Sequence, residues 1–179
     1  QPIEKYQALC YGSKALRAMN NKQCIDIAFM AIELYPQYKD GYCELAQSYW
    51  TFKDIDKAIY WGEMVDTKKE IEEPPPIIFV NPLEYSFNRY LMLAEAHLMK
   101  MNLDESARYL IMAHKMRPTK DIEQRIEQIQ EIKHRLDIDY GIKSLMVNLL
   151  NSRELVRLQK ITEILPAWYR ELPEYDDLR

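Results

Sequence analysis

The sequence predicts an all-α fold: a right-handed α-solenoid of about three helix hairpins, with a capping helix and a C-terminal helical extension behind them. Three observations carry this expectation. A unit of 34 residues recurs: Ala8, Gly12, Ala15, Cys24, Ala31 and Pro36 open one copy, and Tyr42, Ala46, Tyr49, Ala58, Val65 and Glu70 stand 34 residues further on. Tyr90, Ala94, His97, Ser106, Ala113 and Pro118 stand another 48 residues on, one repeat plus an insertion that holds Pro74, Pro75, Pro76 and Pro82. Small residues at fixed offsets with a closing proline are the pattern of stacked helix-turn-helix units. Finally, only four glycines occur among abundant Leu, Ile, Ala, Met, Glu and Lys, a composition that favours helix.

The elements follow in order. Residues 4–19 form the first helix, with Tyr6, Leu9, Leu16 and Met19 as its larger side chains. Ala8, Gly12 and Ala15 lie three and four apart, on one face, and should let the next helix approach closely. Asn20-Asn21 makes the turn, because Asn tolerates the left-handed conformation. The second helix, 22–35, turns Ile25, Ala28, Ala31 and Ile32 back on the first and stops at Pro36. Helix 40–52 carries Tyr42, Leu45, Ala46 and Tyr49, and Asp54 caps helix 55–70 with Ile55, Ala58, Ile59 and Met64 inward. The insertion at 71–84 cannot be regular helix, since three consecutive prolines impose an extended path. Its Ile77, Ile78, Phe79 and Val80 are apolar enough to pack on the solenoid. Helices 84–101 and 103–117 form the third pair, closed by Pro118. Thr119 caps a polar helix, 119–136, whose stripe of Ile122, Ile126, Ile129 and Ile132 suits an element covering the last repeat. Two further helices are expected, 138–150 and 152–165, the second opened by Asn151 or Ser152. The solenoid thus occupies 1–136, and 137–179 is an extension or a linker to a further domain.

Composition narrows the function. The 179-residue chain is 47% hydrophobic with a net charge of −4, and acidic and basic residues are interspersed. No basic stripe exists for a duplex, so nucleic acid is not an expected partner. No apolar run reaches bilayer length, so no membrane insertion is expected. No phosphate-cradling glycine loop occurs. Cys10, Cys24 and Cys43 lack a metal-type C-x-x-C spacing and read as small hydrophobes in a reducing, cytoplasmic compartment. No cofactor or metal is implied. The chain begins at Gln1, and the expectation is a piece of a longer protein.

These residues resemble the tetratricopeptide repeat family over about residues 5–118. The chain departs from that pattern at Gly62, where a large aromatic is usual, and at Glu70, which replaces a closing proline; both would loosen the middle unit. A narrower resemblance is to the repeats fused behind family-2-type glycosyltransferase domains. It rests on Leu45-Ala46-Gln47-Ser48-Tyr49, on Asn81-Pro82-Leu83-Glu84-Tyr85 and on Leu91-Met92-Leu93-Ala94-Glu95-Ala96. The run from Leu158 to Arg179 looks like a segment preceding a further domain, with a methyltransferase as one candidate.

The resemblance implies a concave groove lined by the first helix of each pair. Carried over by register, the partner-binding residues are Tyr6, Leu9, Ser13, Asp40, Cys43, Gln47, Trp50, Asn88, Leu91 and Glu95. Trp50 is the expected anchor, since large amphipathic rings dominate binding energies; its alternative is packing against the next helix or under the proline insertion. The family's carboxylate clamp for chaperone C-termini would fall on Leu9, Ser13, Glu44, Asn88 and Met92; Leu9 and Met92 cannot bind a carboxylate and Glu44 would repel it, so a chaperone adaptor of that type is not expected. His97 stands in place of a repeat tyrosine and is expected to be partly buried with a backbone partner. Asp137-Ile138-Asp139 has the D-x-D form of a nucleotide-sugar metal site, but it lacks a preceding strand and is better explained as an N-cap pair. Met99, Met101, Met112 and Met116 are expected to fill core. The leading expectation is a non-catalytic protein interaction or scaffolding module, from a larger protein that resembles a glycosyltransferase. It would bind a protein or peptide or associate with itself. The alternatives are a free-standing adaptor with a peptide in its groove and a helical enzyme.

Overall fold

The computed structural model describes residues 2–68, 82–151 and 155–165. Its elements are α1 (Pro2–Ala18), α2 (Gln23–Leu34), α3 (Lys39–Thr51), α4 (Ile55–Met64) with a 3₁₀ turn at Val65–Thr67, α5 (Pro82–Met99), α6 (Leu103–Met116), α7 (Lys120–Asn151) and α8 (Leu155–Ile164). Among the described residues there is no strand. The chain divides into two compact units, Gln1–Ile129 and Gln130–Arg179.

In the first unit each helix from α1 to α6 packs on the next, and α3 also touches both α1 and α5. The repeat seen in the sequence reappears as burial. Cys24, Ala58 and Ser106 are buried, as are Ala31, Val65 and Ala113. In two hairpins a serine ties the paired helices, in opposite directions: the Ser13 hydroxyl of α1 donates to the Cys24 carbonyl of α2 at 2.8 Å, and the Ser106 hydroxyl of α6 to the Ala94 carbonyl of α5 at 2.8 Å.

The turns inside the three hairpins are built alike. Asn20, Lys53 and Met101 sit in the left-handed region, with φ of 56°, 64° and 57°. The amides of Asn21, Asp54 and Asn102 return to the carbonyls of Leu16, Tyr49 and His97 at 2.9, 3.0 and 2.9 Å. This is the six-to-one bond that closes a helix in a Schellman motif. Asn20 was legible from its side chain; Lys53 and Met101 adopt the same strained backbone without that help.

Glycines set the approach between successive hairpins. A Cβ on Gly41 would lie 3.0 Å from Ile32 Cγ1 of α2, and one on Gly62 would lie 2.9 Å from Leu93 Cδ2 of α5. Gly62 therefore does not loosen the middle unit; its bare Cα is what admits Leu93. Arg89 locks the same contact, donating to the Gly62 carbonyl at 2.8 Å and to Asp66 at 2.7 Å.

Several local expectations hold. The Asp54 carboxylate accepts from the Lys57 amide at 3.3 Å, and the Thr119 hydroxyl from the Ile122 amide at 3.3 Å. Others are corrected. Ala8 and Ala15 are exposed, whereas their counterparts Tyr42 and His97 are buried. Those later positions lie against the preceding hairpin: the Tyr42 hydroxyl donates to the Pro36 carbonyl, and His97 meets Glu63. Helix α4 stops at Met64 rather than 70, where the Thr67 hydroxyl donates to the Met64 carbonyl at 2.7 Å and competes with the helical bond. α5 starts at Pro82, a residue suited to the first helical turn. Met99, Met101 and Met116 are exposed rather than core-filling, while Met112 packs on the core.

The largest correction is α7. Helices expected at 119–136 and 138–150 are one helix. Asp137 to Asp139 therefore cap nothing; Asp139 pairs with Lys143 at 2.9 Å, one turn on. No proline interrupts this stretch, and Gly141 alone costs too little to break it. Ile122 and Ile129 are buried and Ile126 packs beside them, but Ile132 is exposed. In the second unit Met146, Leu149 and Leu165 are buried. The apolar run Ile77 to Val80 and the segments beyond Leu165 lie outside the described residues.

Candidate functional site

A cleft of about 410 Å³ opens in the first unit. Lys14 and Arg17 of α1 form one edge. Cys43, Glu44, Gln47 and Trp50 of α3 and Asn88, Leu91, Met92 and Glu95 of α5 form its length, and Arg125 of α7 closes it. The α3 and α5 sets share a spacing of one, three and four residues, which is one broad helix face. They are also related by the 48-residue step: Cys43 with Leu91, Glu44 with Met92 and Gln47 with Glu95.

The floor is apolar and the walls are charged. Cys43 and Met92 are buried at its base. Burial pushes the Cys43 thiol up to about 12, so it stays protonated and is neither a nucleophile nor a ready metal ligand at neutral pH. Glu44 has 1% of its side chain exposed and pairs with Arg17 Nη2 at 2.9 Å. The Arg17 Nη1 also donates to Gln47 Oε1 at 3.3 Å. Across the cleft Arg125 is hydrogen-bonded and ion-paired to Glu95. These pairs fix side-chain positions more than they add stability, because desolvation offsets much of the attraction. Trp50 is half-buried: one part of the indole packs on the core around Leu93 and Leu110, another lines the cleft, and Lys53 Nζ lies 5.5 Å from its ring centre.

Six expected groove residues thus meet here: Cys43, Gln47, Trp50, Asn88, Leu91 and Glu95. The four nearest the N-terminus do not line the cleft. Tyr6 is buried against Tyr35 and Tyr38, its hydroxyl donating to Asp40 Oδ2 at 3.3 Å and accepting from the Gly41 amide at 3.1 Å. Leu9 packs on that cluster, and the Ser13 hydroxyl is occupied by Cys24. Burial raises the pKa of Asp40, against the bond from Tyr6 that lowers it. The cause is geometric. Register transfer assumes that every hairpin presents the same face, yet the cleft meets α1 only near its C-terminal end, at Lys14 and Arg17. Glu44 and Met92 widen the expected face by one residue, so their place was readable as a neighbour of Cys43 and Leu91. Arg125 had no such signal, since it stands on a helix outside the repeat.

His97 is buried, but its partner is a side chain rather than backbone: Nε2 lies 3.0 Å from Glu63 Oε1, and the ring stacks on Tyr109 with centroids 5.6 Å apart. His114 faces Glu123 at 3.5 Å. Among the described residues neither histidine has a serine or cysteine as hydrogen-bond partner. No described helix is long and apolar enough to cross a membrane. No model of a known family matches the chain, and no curated protein matches it.

Proposed function

We propose that this chain is a non-catalytic interaction module whose cleft holds a segment of a protein partner. The observation that carries this is the cleft itself. Three helices that succeed one another by the repeat step contribute side chains to one continuous surface, with an apolar floor, a half-buried tryptophan and charged pairs fixed along both sides. Such a surface offers an anchor for an apolar side chain and flanking donors and acceptors for a peptide backbone. The successive packing of α1 to α6, with α3 between α1 and α5, supports a tetratricopeptide-like solenoid as the scaffold. Placement in a larger, glycosyltransferase-like protein rests on the sequence resemblance and belongs to the same proposal.

The test is a peptide display selection on the immobilised chain, followed by affinity measurement with Trp50→Ala. Loss of an indole at the centre of an interface costs about 2 kcal/mol or more, so selected peptides should bind about thirtyfold more weakly. Equal affinity for both proteins, with a large fall in the melting temperature of the variant, would overturn the assignment and make Trp50 a packing residue. Light scattering on the same two proteins decides one alternative occupant: a dimer that dissociates on Trp50→Ala would place a second copy of the chain in the cleft.

A further inference from the structure

We propose that Glu63, His97 and Glu105 form a site for a divalent ion of the zinc type, separate from the cleft. Three helices deliver the three side chains: Glu63 from α4, His97 from α5 and Glu105 from α6. One ligand atom from each lies within 4.8 Å of the other two. Tetrahedral zinc with ligands at about 2.0–2.2 Å holds its donors about 3.3–3.6 Å apart. The Glu63–His97 pair, hydrogen-bonded at 3.0 Å, need open by only a few tenths of an ångström to admit the ion. Glu105 is 36% exposed and can close the remaining distance by a rotamer change.

The chemistry agrees with the geometry. Two carboxylates and a neutral imidazole carry a charge of −2, which a divalent ion neutralises. An imidazole nitrogen with carboxylate oxygens suits zinc and its neighbours in the first transition row rather than calcium or magnesium. The fold already holds His97 in place. Its side chain is 7% exposed, and its ring lies against Tyr109 with an interplanar angle of 15°. The Tyr109 hydroxyl donates to Glu63 Oε1 at 3.5 Å, the kind of outer contact that orients a ligating carboxylate. To bind, Nε2 offers its lone pair, so the ring proton resides on Nδ1. Three protein ligands leave the fourth position to water. Arg108 is the rival cation, with Nη2 at 2.5 Å and Nε at 2.7 Å from Glu105 Oε2. A metal ion must displace it or take the other carboxylate oxygen.

That rivalry gives a test independent of folding. The whole chain is titrated with Zn²⁺ by calorimetry and with Co²⁺ by visible absorption, for the wild type, Glu105→Gln, Arg108→Gln and His97→Gln. The wild type should bind one ion with the intense absorption of four-coordinate cobalt. Glu105→Gln should weaken binding at least tenfold while the metal-free melting temperature falls by no more than a few degrees, because a partly exposed ion pair contributes little to stability. Arg108→Gln should tighten binding by up to about fivefold, the worth of an exposed ion pair. His97→Gln should abolish the cobalt spectrum; if it fails to fold, the two surface variants carry the test. No binding by the wild type with metal in excess would overturn the proposal. So would binding unchanged by Glu105→Gln, which would assign the ion to other donors.

Discussion

Substituting Gly62 by alanine isolates the close approach of α4 to α5. In an isolated helix interior the change would gain about 1 kcal/mol, since glycine has the greater backbone entropy to lose. Here the new methyl would sit 2.9 Å from Leu93 Cδ2, 3.2 Å from Leu93 Cγ and 3.1 Å from Met92 Cε. Leu93 is fully buried and Met92 nearly so, so neither can swing into solvent. Overpacking of this kind costs about 1–3 kcal/mol. The net expectation is destabilisation by about 1 kcal/mol, or a fall of about 2–4 °C in melting temperature for a chain of this size. Gly12→Ala is the control in the same unit: its methyl meets only Ile27 Cγ2, at 3.7 Å, an ordinary contact, and it should stabilise by about 1 kcal/mol. Urea unfolding followed by far-UV circular dichroism measures both. A double-mutant cycle isolates the contact itself, because Gly62→Ala should turn stabilising on a Leu93→Ala background. If Gly62→Ala matches Gly12→Ala, or shows no coupling to Leu93, the close approach is not what glycine serves at this position.

Three more outcomes follow from the same structure. Met101 is exposed with φ 57°, so Met101→Gly should stabilise by about 1 kcal/mol in urea unfolding, whereas Asn20→Gly should change little because Asn already tolerates that backbone; equal effects at the two sites would refute the strain argument. Burial pushes the Cys10 and Cys43 thiols up to about 12, and Cys24 is fully buried, so a thiol reagent at about pH 8 should label all three only as the protein unfolds; rapid labelling of the native chain would contradict this. Burial raises the Asp40 carboxyl above its ordinary value of 3.8, so between that value and its folded pKa the native state binds more protons than the unfolded chain and stability falls as pH rises. Asp40→Asn should therefore gain stability relative to wild type from about pH 4 to pH 7, and a difference that does not vary with pH would exclude the mechanism.

The repeat was legible because helix periodicity writes itself into side-chain size. Positions 24, 58 and 106 are small and buried, and 31, 65 and 113 likewise, since the second helix of each hairpin must lie close to the first. Caps at Asp54 and Thr119 were legible for a similarly local reason: a side-chain oxygen stands two or three residues before an orphan amide. The break at Asp137 was misread because a good capping residue is only permissive. A helix ends when something stops it, and neither proline nor a left-handed residue stands there.

The candidate site divides along the same line. Cys43, Gln47, Trp50, Asn88, Leu91 and Glu95 follow from the repeat register, because two successive first helices present equivalent faces. Tyr6, Leu9, Ser13 and Asp40 occupy equivalent register positions and still miss the cleft, because Tyr6 and Ser13 are spent on hydrogen bonds within the fold and Leu9 on its core. Gly62 reads in sequence as a missing aromatic and in three dimensions as a seat for Leu93.

What the sequence by itself determined is helical: the succession of helices from α1 to α6, the caps at Asp54 and Thr119, the turn at Asn20, and the face that α3 and α5 turn toward the cleft. These depend on residues within a turn or two of one another. Tertiary structure alone decided which ends of those faces converge, that Arg125 reaches Glu95, and that Glu63, His97 and Glu105 meet. Those encounters depend on how three helices cross, and crossing geometry is set by the summed shape of every side chain between them rather than by any local spacing.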